Sequence, residues 1–176
     1  MQKYKQLKSA ICENGHIHSS ILTKSETYNK KFCIKCGAKI IDCCPQCSTM
    51  ILGGKGYDKY FSHPCYEKMM VTLKRNENNT LPYYCHECGE PYPWTKKFLN
   101  DYKILLELHC DEINSQLQEV IYHKTEDFLK NNFETTSVNA SLLKKILNKI
   151  PDATAQILIN TISNFAGKSL EKFFNF

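Results

Sequence analysis

Cysteine spacing constrains this chain more than any other feature. Three Cys-x-x-Cys pairs, Cys33/Cys36, Cys44/Cys47 and Cys85/Cys88, fall in its first half, and a Cys12-Glu-Asn-Gly-His16 segment precedes them. Two of the pairs run straight into glycine, as Cys33-Ile-Lys-Cys36-Gly37 and Cys85-His-Glu-Cys88-Gly89. Such a knuckle turns the backbone sharply and sets two thiolates about 3.5–4 Å apart, one edge of a zinc tetrahedron, while the glycine relieves the tight turn. One pair alone is weak evidence for metal. Three pairs with a fourth Cys/His source argue for two structural zinc ions per chain. The simplest division gives Cys12, His16, Cys33 and Cys36 to one site and Cys44, Cys47, Cys85 and Cys88 to the other. His18 competes with His16. Asn14-Gly15 can form the turn that returns His16 towards Cys12, whereas His18 is already on the outgoing strand. Cys43 could replace Cys44 only by giving up the pair spacing.

Ten cysteines in a small secreted protein would suggest a disulfide framework. Here Met1 to Ser9 carries lysines with no apolar run behind them, unlike a signal peptide. Nine of the ten cysteines precede Glu90, mostly at x-x spacing, which fits reduced thiolates on metal in the cytoplasm. No apolar stretch approaches the length of a membrane span. The formal charge of +5 counts cysteine as neutral. A three-thiolate site carries −1 and a four-thiolate site −2, leaving about +2 once both are metallated. The front is basic, with eight lysines against three acids in residues 1–50, and the back is slightly acidic. Arg75 is the only arginine, which argues against bidentate reading of bases or phosphates and leaves lysine-based backbone binding open.

At 176 residues the chain can form one moderate domain or two small ones. The pattern favours an α+β chain in two parts. Residues 1–94 read as a small double zinc-ribbon-like β domain with rubredoxin-like knuckles, in which residues 51–84, with Gly53-Gly54-Lys55-Gly56, are most simply an irregular excursion with short strands. Residues 95–176 read as an all-helical domain. Phe98, Tyr102, Leu105, Ile113, Leu117, Ile121 and Phe128 recur at helical intervals without proline or glycine. They predict one long helix over about 95–130, capped by Thr95 and long enough for a coiled-coil seam or a break near Asn114 or His123. Two shorter helices follow, separated by Pro151, the last carrying Ala166-Gly167 and running on to Phe173 and Phe174.

Cys12-x-Asn14-Gly15-His16, Cys33-x-x-Cys36-Gly37, Cys44-Pro-x-Cys47, Gly53-Gly54 and above all Tyr84-Cys85-His86-x-Cys88-Gly89-x-Pro91-Tyr92-Pro93-Trp94-Thr95 resemble the bacterial DUF2321 family, a domain of unknown function with zinc-ribbon-like cysteine motifs. The likeness covers roughly residues 5–100, with the helical tail as a less distinctive companion. It implies a cytoplasmic bacterial protein with two ribbon-type metal sites, and it implies no substrate or reaction.

Three functional classes compete. The first is a zinc-stabilised, non-enzymatic adaptor that docks to a protein partner or to itself through the helices, with Tyr57, Tyr60 and Phe61 as candidate contact residues. The second is nucleic-acid binding through Lys30, Lys31, Lys35 and Lys39 around the first ribbon, with tyrosines to stack on unpaired bases. The third is an enzyme. No His-Glu-x-x-His, P-loop, dinucleotide, nucleophile-elbow or deaminase signature supports it, and four-ligand sites leave no open metal position. His63-Pro-Cys65 is the one adjacent His/Cys pair that could join a further site; a loop role is the simpler reading.

Overall fold

Strand β1 (Lys5–Cys12) organises the first half of the chain. Its last six residues are buried, and antiparallel strands line both of its edges. Strand β2 (Ile17–Leu22) returns along one edge after the Cys12–His16 turn; β3 (Ile40–Ile41) and β4 (Leu52–Ser62) pair with β1 as well. β5 (Met69–Asn76) then pairs with β4 through eight residue pairs, giving the order β2-β1-β4-β5 with β3 set against β1. The computed structural model describes residues 4–62, 69–109 and 112–174. It consists of a curled N-terminal β-sheet that carries two Cys/His clusters, followed by an all-helical C-terminal part. Two compact units result, Met1–Trp94 and Thr95–Phe176.

The sheet corrects the expectation for residues 51–84. Where an irregular excursion was expected, β4 and β5 form long paired strands. The glycines that signalled a loop are part of β4. Between Gln6↔Lys55 and Lys8↔Leu52, β4 advances one residue more than β1, so Gly53-Gly54 sits in a β-bulge. A Cβ on Gly53 would collide with the Ser20 carbonyl, and one on Gly54 with the Asn76 carbonyl. Only glycine lets three backbones approach this closely. The Gln6 side chain bridges the bulge, donating to the carbonyls of Gly53 and Gly54 at 2.9 and 3.1 Å.

The second unit begins in the first turn of helix α1 (Pro93–His109), whose first residue is a proline with no amide to lose. Thr95, expected as the cap, lies fully buried inside the first turn. The single helix expected over about 95–130 is two helices. α2 runs Ser115–Lys130, and Asn114 starts it: its backbone is extended and its side chain accepts the Leu117 amide at 2.9 Å. A local cap has beaten a continuous apolar stripe. Helix α3 (Val138–Leu147) is capped in the same way by Ser137. α4 (Asp152–Ala166) stops at Gly167, which takes the left-handed conformation, so the last helix does not continue to Phe174 as expected. Phe173 and Phe174 lie instead on a separate single turn, α5 (Glu171–Phe174). Tyr102, Ile121, Phe128, Leu143, Leu158 and Phe174 are buried in this unit's core. Phe98 and Phe165 stack with ring centres 3.9 Å apart, and Thr125 donates to the Tyr102 hydroxyl at 3.2 Å.

Candidate metal centres

The three Cys-x-x-Cys loops are one structure used three times. In each, the first cysteine's amide donates five residues ahead, Cys33 to Ala38, Cys44 to Thr49 and Cys85 to Glu90, at 2.8, 2.8 and 2.9 Å. In each, the carbonyl of that cysteine accepts from the residue four ahead, Gly37, Ser48 or Gly89, at 2.8, 2.9 and 3.0 Å. One further antiparallel bridge closes every loop: Phe32↔Lys39, Cys43↔Met50 and Tyr84↔Pro91. The residue after the second cysteine must adopt positive φ, and it does, at 72° for Gly37 and Gly89 and 61° for Ser48. Ser48 performs this turn without glycine's freedom.

These loops and the β1–β2 turn assemble two clusters. Cys12, His16, Cys33 and Cys36 place one sulfur or ring nitrogen each within 4.8 Å of one another, and so do Cys44, Cys47, Cys85 and Cys88. In the first, Cys12 Sγ lies 3.4 Å from His16 Nδ1 and 3.7 Å from Cys36 Sγ, and Cys33 Sγ lies 3.6 Å from His16 Nδ1. In the second, Cys44 and Cys88 sulfurs are 3.8 Å apart and those of Cys47 and Cys85 3.6 Å. A tetrahedral ion with bonds of about 2.3 Å to sulfur has edges of about 3.8 Å. Both clusters are geometrically compatible with a bound metal ion.

Strand pairing brings the halves together. Cys12 is the last residue of β1 and pairs with Ile40, two residues beyond Ala38 of the first knuckle. β3 then leads directly into Asp42 and Cys44 of the second centre. The residues after Cys88 bind the two centres into one core. Tyr92 is buried, and its hydroxyl donates to Cys85 Sγ; burial first, then the Cys85, Cys44 and Cys47 thiols, push its acidity well above the usual phenol range. Trp94 stacks on Tyr92 at 4.8 Å, donates to the Pro82 carbonyl at 2.7 Å, and lies against Gly15 of the Cys12–His16 turn. One aromatic pair therefore reaches from a cysteine of the second cluster to the turn of the first.

Hydrogen bonds from outer residues and crowding within the clusters shift the thiols in opposite directions. Backbone amides two residues on donate to the second cysteine of every knuckle, Ala38 to Cys36, Thr49 to Cys47 and Glu90 to Cys88. The Ala38 amide, helped by the Asn14 side chain, draws Cys36 down to about 6, and the Thr49 hydroxyl and amide draw Cys47 down to about 6. Burial pushes Cys12 up. For Cys88 the Glu90 amide pulls down, yet desolvation and the other three thiols of its cluster push it up to about 12. Four crowded thiols resist full ionisation by mutual repulsion, and a divalent cation at their centre removes that conflict.

Other sequence candidates fall outside the clusters. His18 is on β2, where its ring lies 5.6 Å from Tyr28 and its Nε2 is buried without a hydrogen bond. Cys43 donates to Asp42 at 3.3 Å instead of joining Cys44. Lys30, Lys31 and Lys39 line one groove beside the first knuckle, and Lys35 is exposed on the knuckle itself. Tyr57 is half-buried on β4, edge-on to Tyr4 at 6.1 Å; Tyr60 and Phe61 pair through β4 with Val71 and Met70, and their side chains lie outside the described residues. His63 and Cys65 lie outside the described residues altogether. The outer residues Asn14, Thr49 and Tyr92 were not foreseen as parts of a centre. Only Asn14 and Tyr92 carry a sequence signal, because they sit within the densest motifs.

Comparison with known proteins places the chain. A family model described as an uncharacterised protein conserved in bacteria, DUF2321, matches residues 5–170. The chain belongs to DUF2321. The match runs through α4 and the following turn, so the helices of this DUF2321 protein are part of the family pattern as much as its knuckles are. No curated protein and no solved structure matches the chain.

Proposed function

We propose that this DUF2321 protein binds two zinc ions in closed structural sites and acts as a non-enzymatic interaction module. The observation that carries this reading is the ligand count. Each cluster offers four donor atoms within 4.8 Å of one another, three thiols and an imidazole in one and four thiols in the other. Soft sulfur donors in a tetrahedral set select zinc over hard cations, and four protein ligands leave no position for a reacting water. Seven thiol donors favour a reducing compartment, which supports a cytoplasmic location for the protein. No described helix is long and apolar enough to cross a membrane.

The helical unit supplies the protein-binding or self-associating surface in this reading. Ile104 and Leu108 stand one turn apart on α1 and are 43% and 66% exposed; Val138 and Leu142 stand likewise on α3. Adjacent exposed aliphatic residues on one helix face are the anchors from which helical contacts are built. The test is elemental analysis with native mass spectrometry on untagged protein purified without added zinc. Two zincs per chain, falling to one in Cys85→Ser/Cys88→Ser, is the expected result. One zinc, or an iron, in the unmodified protein would overturn the ligand assignment.

A further inference from the structure

The groove beside the first knuckle combines three features that the metal centres do not use. Lys30, Lys31 and Lys39 converge on it, and all three are exposed. Phe32 stands among them with 61% of its surface open, whereas Tyr84, in the same position before the third knuckle, is half-buried. The only carboxylate lining the groove, Asp42, is already paired with Lys8 at 2.6 Å, and among the described residues Lys30, Lys31 and Lys39 enter no salt bridge. The wall is also preset. Ile40 donates to the Lys31 carbonyl at 2.9 Å, Phe32 bridges Lys39, and Cys33 follows directly as a member of the first cluster. The groove encloses about 400 Å³.

We propose that this groove is a binding site for single-stranded nucleic acid, with Phe32 stacking on an unpaired base and Lys30, Lys31 and Lys39 following the phosphates. Charge complementarity and a bare aromatic face between cations are the two features such platforms require. An acidic peptide would use the lysines and leave Phe32 without a flat partner. Base edges are not read here. The single arginine, Arg75, is committed to Glu26 through two hydrogen bonds of 2.8 and 2.7 Å, and lysine is a point charge without fork geometry, so binding is sequence-tolerant. The proposal rests on the zinc-module reading, because the first metal centre holds the groove wall.

Fluorescence anisotropy of a labelled 12-nucleotide oligothymidylate against the zinc-loaded full chain tests it, with metal content measured on every sample. Three phosphate contacts to a single strand predict that affinity falls about 20-fold between 50 and 200 mM salt. Lys30→Gln/Lys31→Gln/Lys39→Gln removes most binding and flattens that dependence. Phe32→Ala weakens binding about 5- to 150-fold and leaves the salt dependence unchanged. A two-zinc protein that ignores the oligonucleotide at 50 mM salt overturns the groove assignment and leaves the module intact. Equal affinity for duplex DNA or polyglutamate, with Phe32→Ala silent, overturns it too. A protein without zinc overturns both readings.

Discussion

Ser48 and Tyr92 show how much single residues decide in a unit this small. Ser48 occupies the position that Gly37 and Gly89 hold in the sister knuckles, with φ of 61°. A left-handed non-glycine residue costs about 1–2 kcal/mol, part of which glycine returns as chain entropy. Ser48→Gly is therefore expected to stabilise the protein by about 0.5–1 kcal/mol, read as a higher denaturation midpoint with unchanged metal content. Tyr92 acts at a distance of one hydrogen bond from the second centre. Tyr92→Phe keeps the stacked ring and loses the hydroxyl donated to Cys85. Outer partners of this kind are worth about 10- to 100-fold in metal affinity. Competition with a chromogenic chelator should show zinc leaving the second centre that much more readily, with the first centre unaffected. The members of the two Cys/His clusters could be grouped from spacing because each knuckle fixes its geometry within six residues. Tyr92's role could not, since it depends on the bridge between Tyr84 and Pro91 folding the chain back over Cys85.

Among the elements, β2 and β5 are joined by side chains rather than by a shared ladder. Arg75 on β5 reaches the Ile21 carbonyl at 2.9 Å and grips Glu26 with both terminal nitrogens, while the Thr23 amide adds a third bond to that carboxylate at 2.7 Å. The Arg75 hydrogen bonds first, then the Thr23 amide, hold Glu26 down at about 2. A carboxylate whose folded pKa is depressed stabilises the fold above its unfolded pKa of about 4.5 and loses that contribution as pH falls towards 2. Carbon-detected NMR titration should find the Glu26 carboxyl midpoint near 2, returning towards 4.5 in Arg75→Met. This bracket was invisible in sequence because its partners are 49 residues apart. The β4–β5 strands were missed for a different reason. Glycine runs signal turns, and only the three-dimensional crowding around Gly53 and Gly54 reveals them as a bulge inside a strand. Asn114 was legible as one of two breaks because asparagine favours the cap over the helix interior; nothing comparable marked His123, and α2 runs through it.

At the scale of the whole molecule, the two units have differently composed cores. The helical unit buries its own aromatic and aliphatic core, including Phe128, Phe133, Leu158 and Phe174. The sheet unit buries Leu7, Ile11, Ile51, Tyr92 and Trp94 around two clusters of thiols, and in such small domains metal binding is folding energy. Chelation is expected to unfold one and spare the other: Trp94 emission should shift to the red while most of the helical circular dichroism at 222 nm survives. Loss of both signals together would contradict separate cores. The change from strand-rich to helical periodicity was visible in the sequence because it coincides with the last knuckle; the lysines around the first knuckle were legible too, whereas the exposure of Phe32 among them was not. Closed coordination is the claim on which the rest depends. Zinc K-edge X-ray absorption on the purified protein tests it most directly. Across the two ions it should find seven sulfur scatterers at about 2.3 Å and one imidazole nitrogen at about 2.0–2.1 Å. A water or carboxylate oxygen in place of a protein sulfur would contradict closed sites and return a catalytic role to consideration.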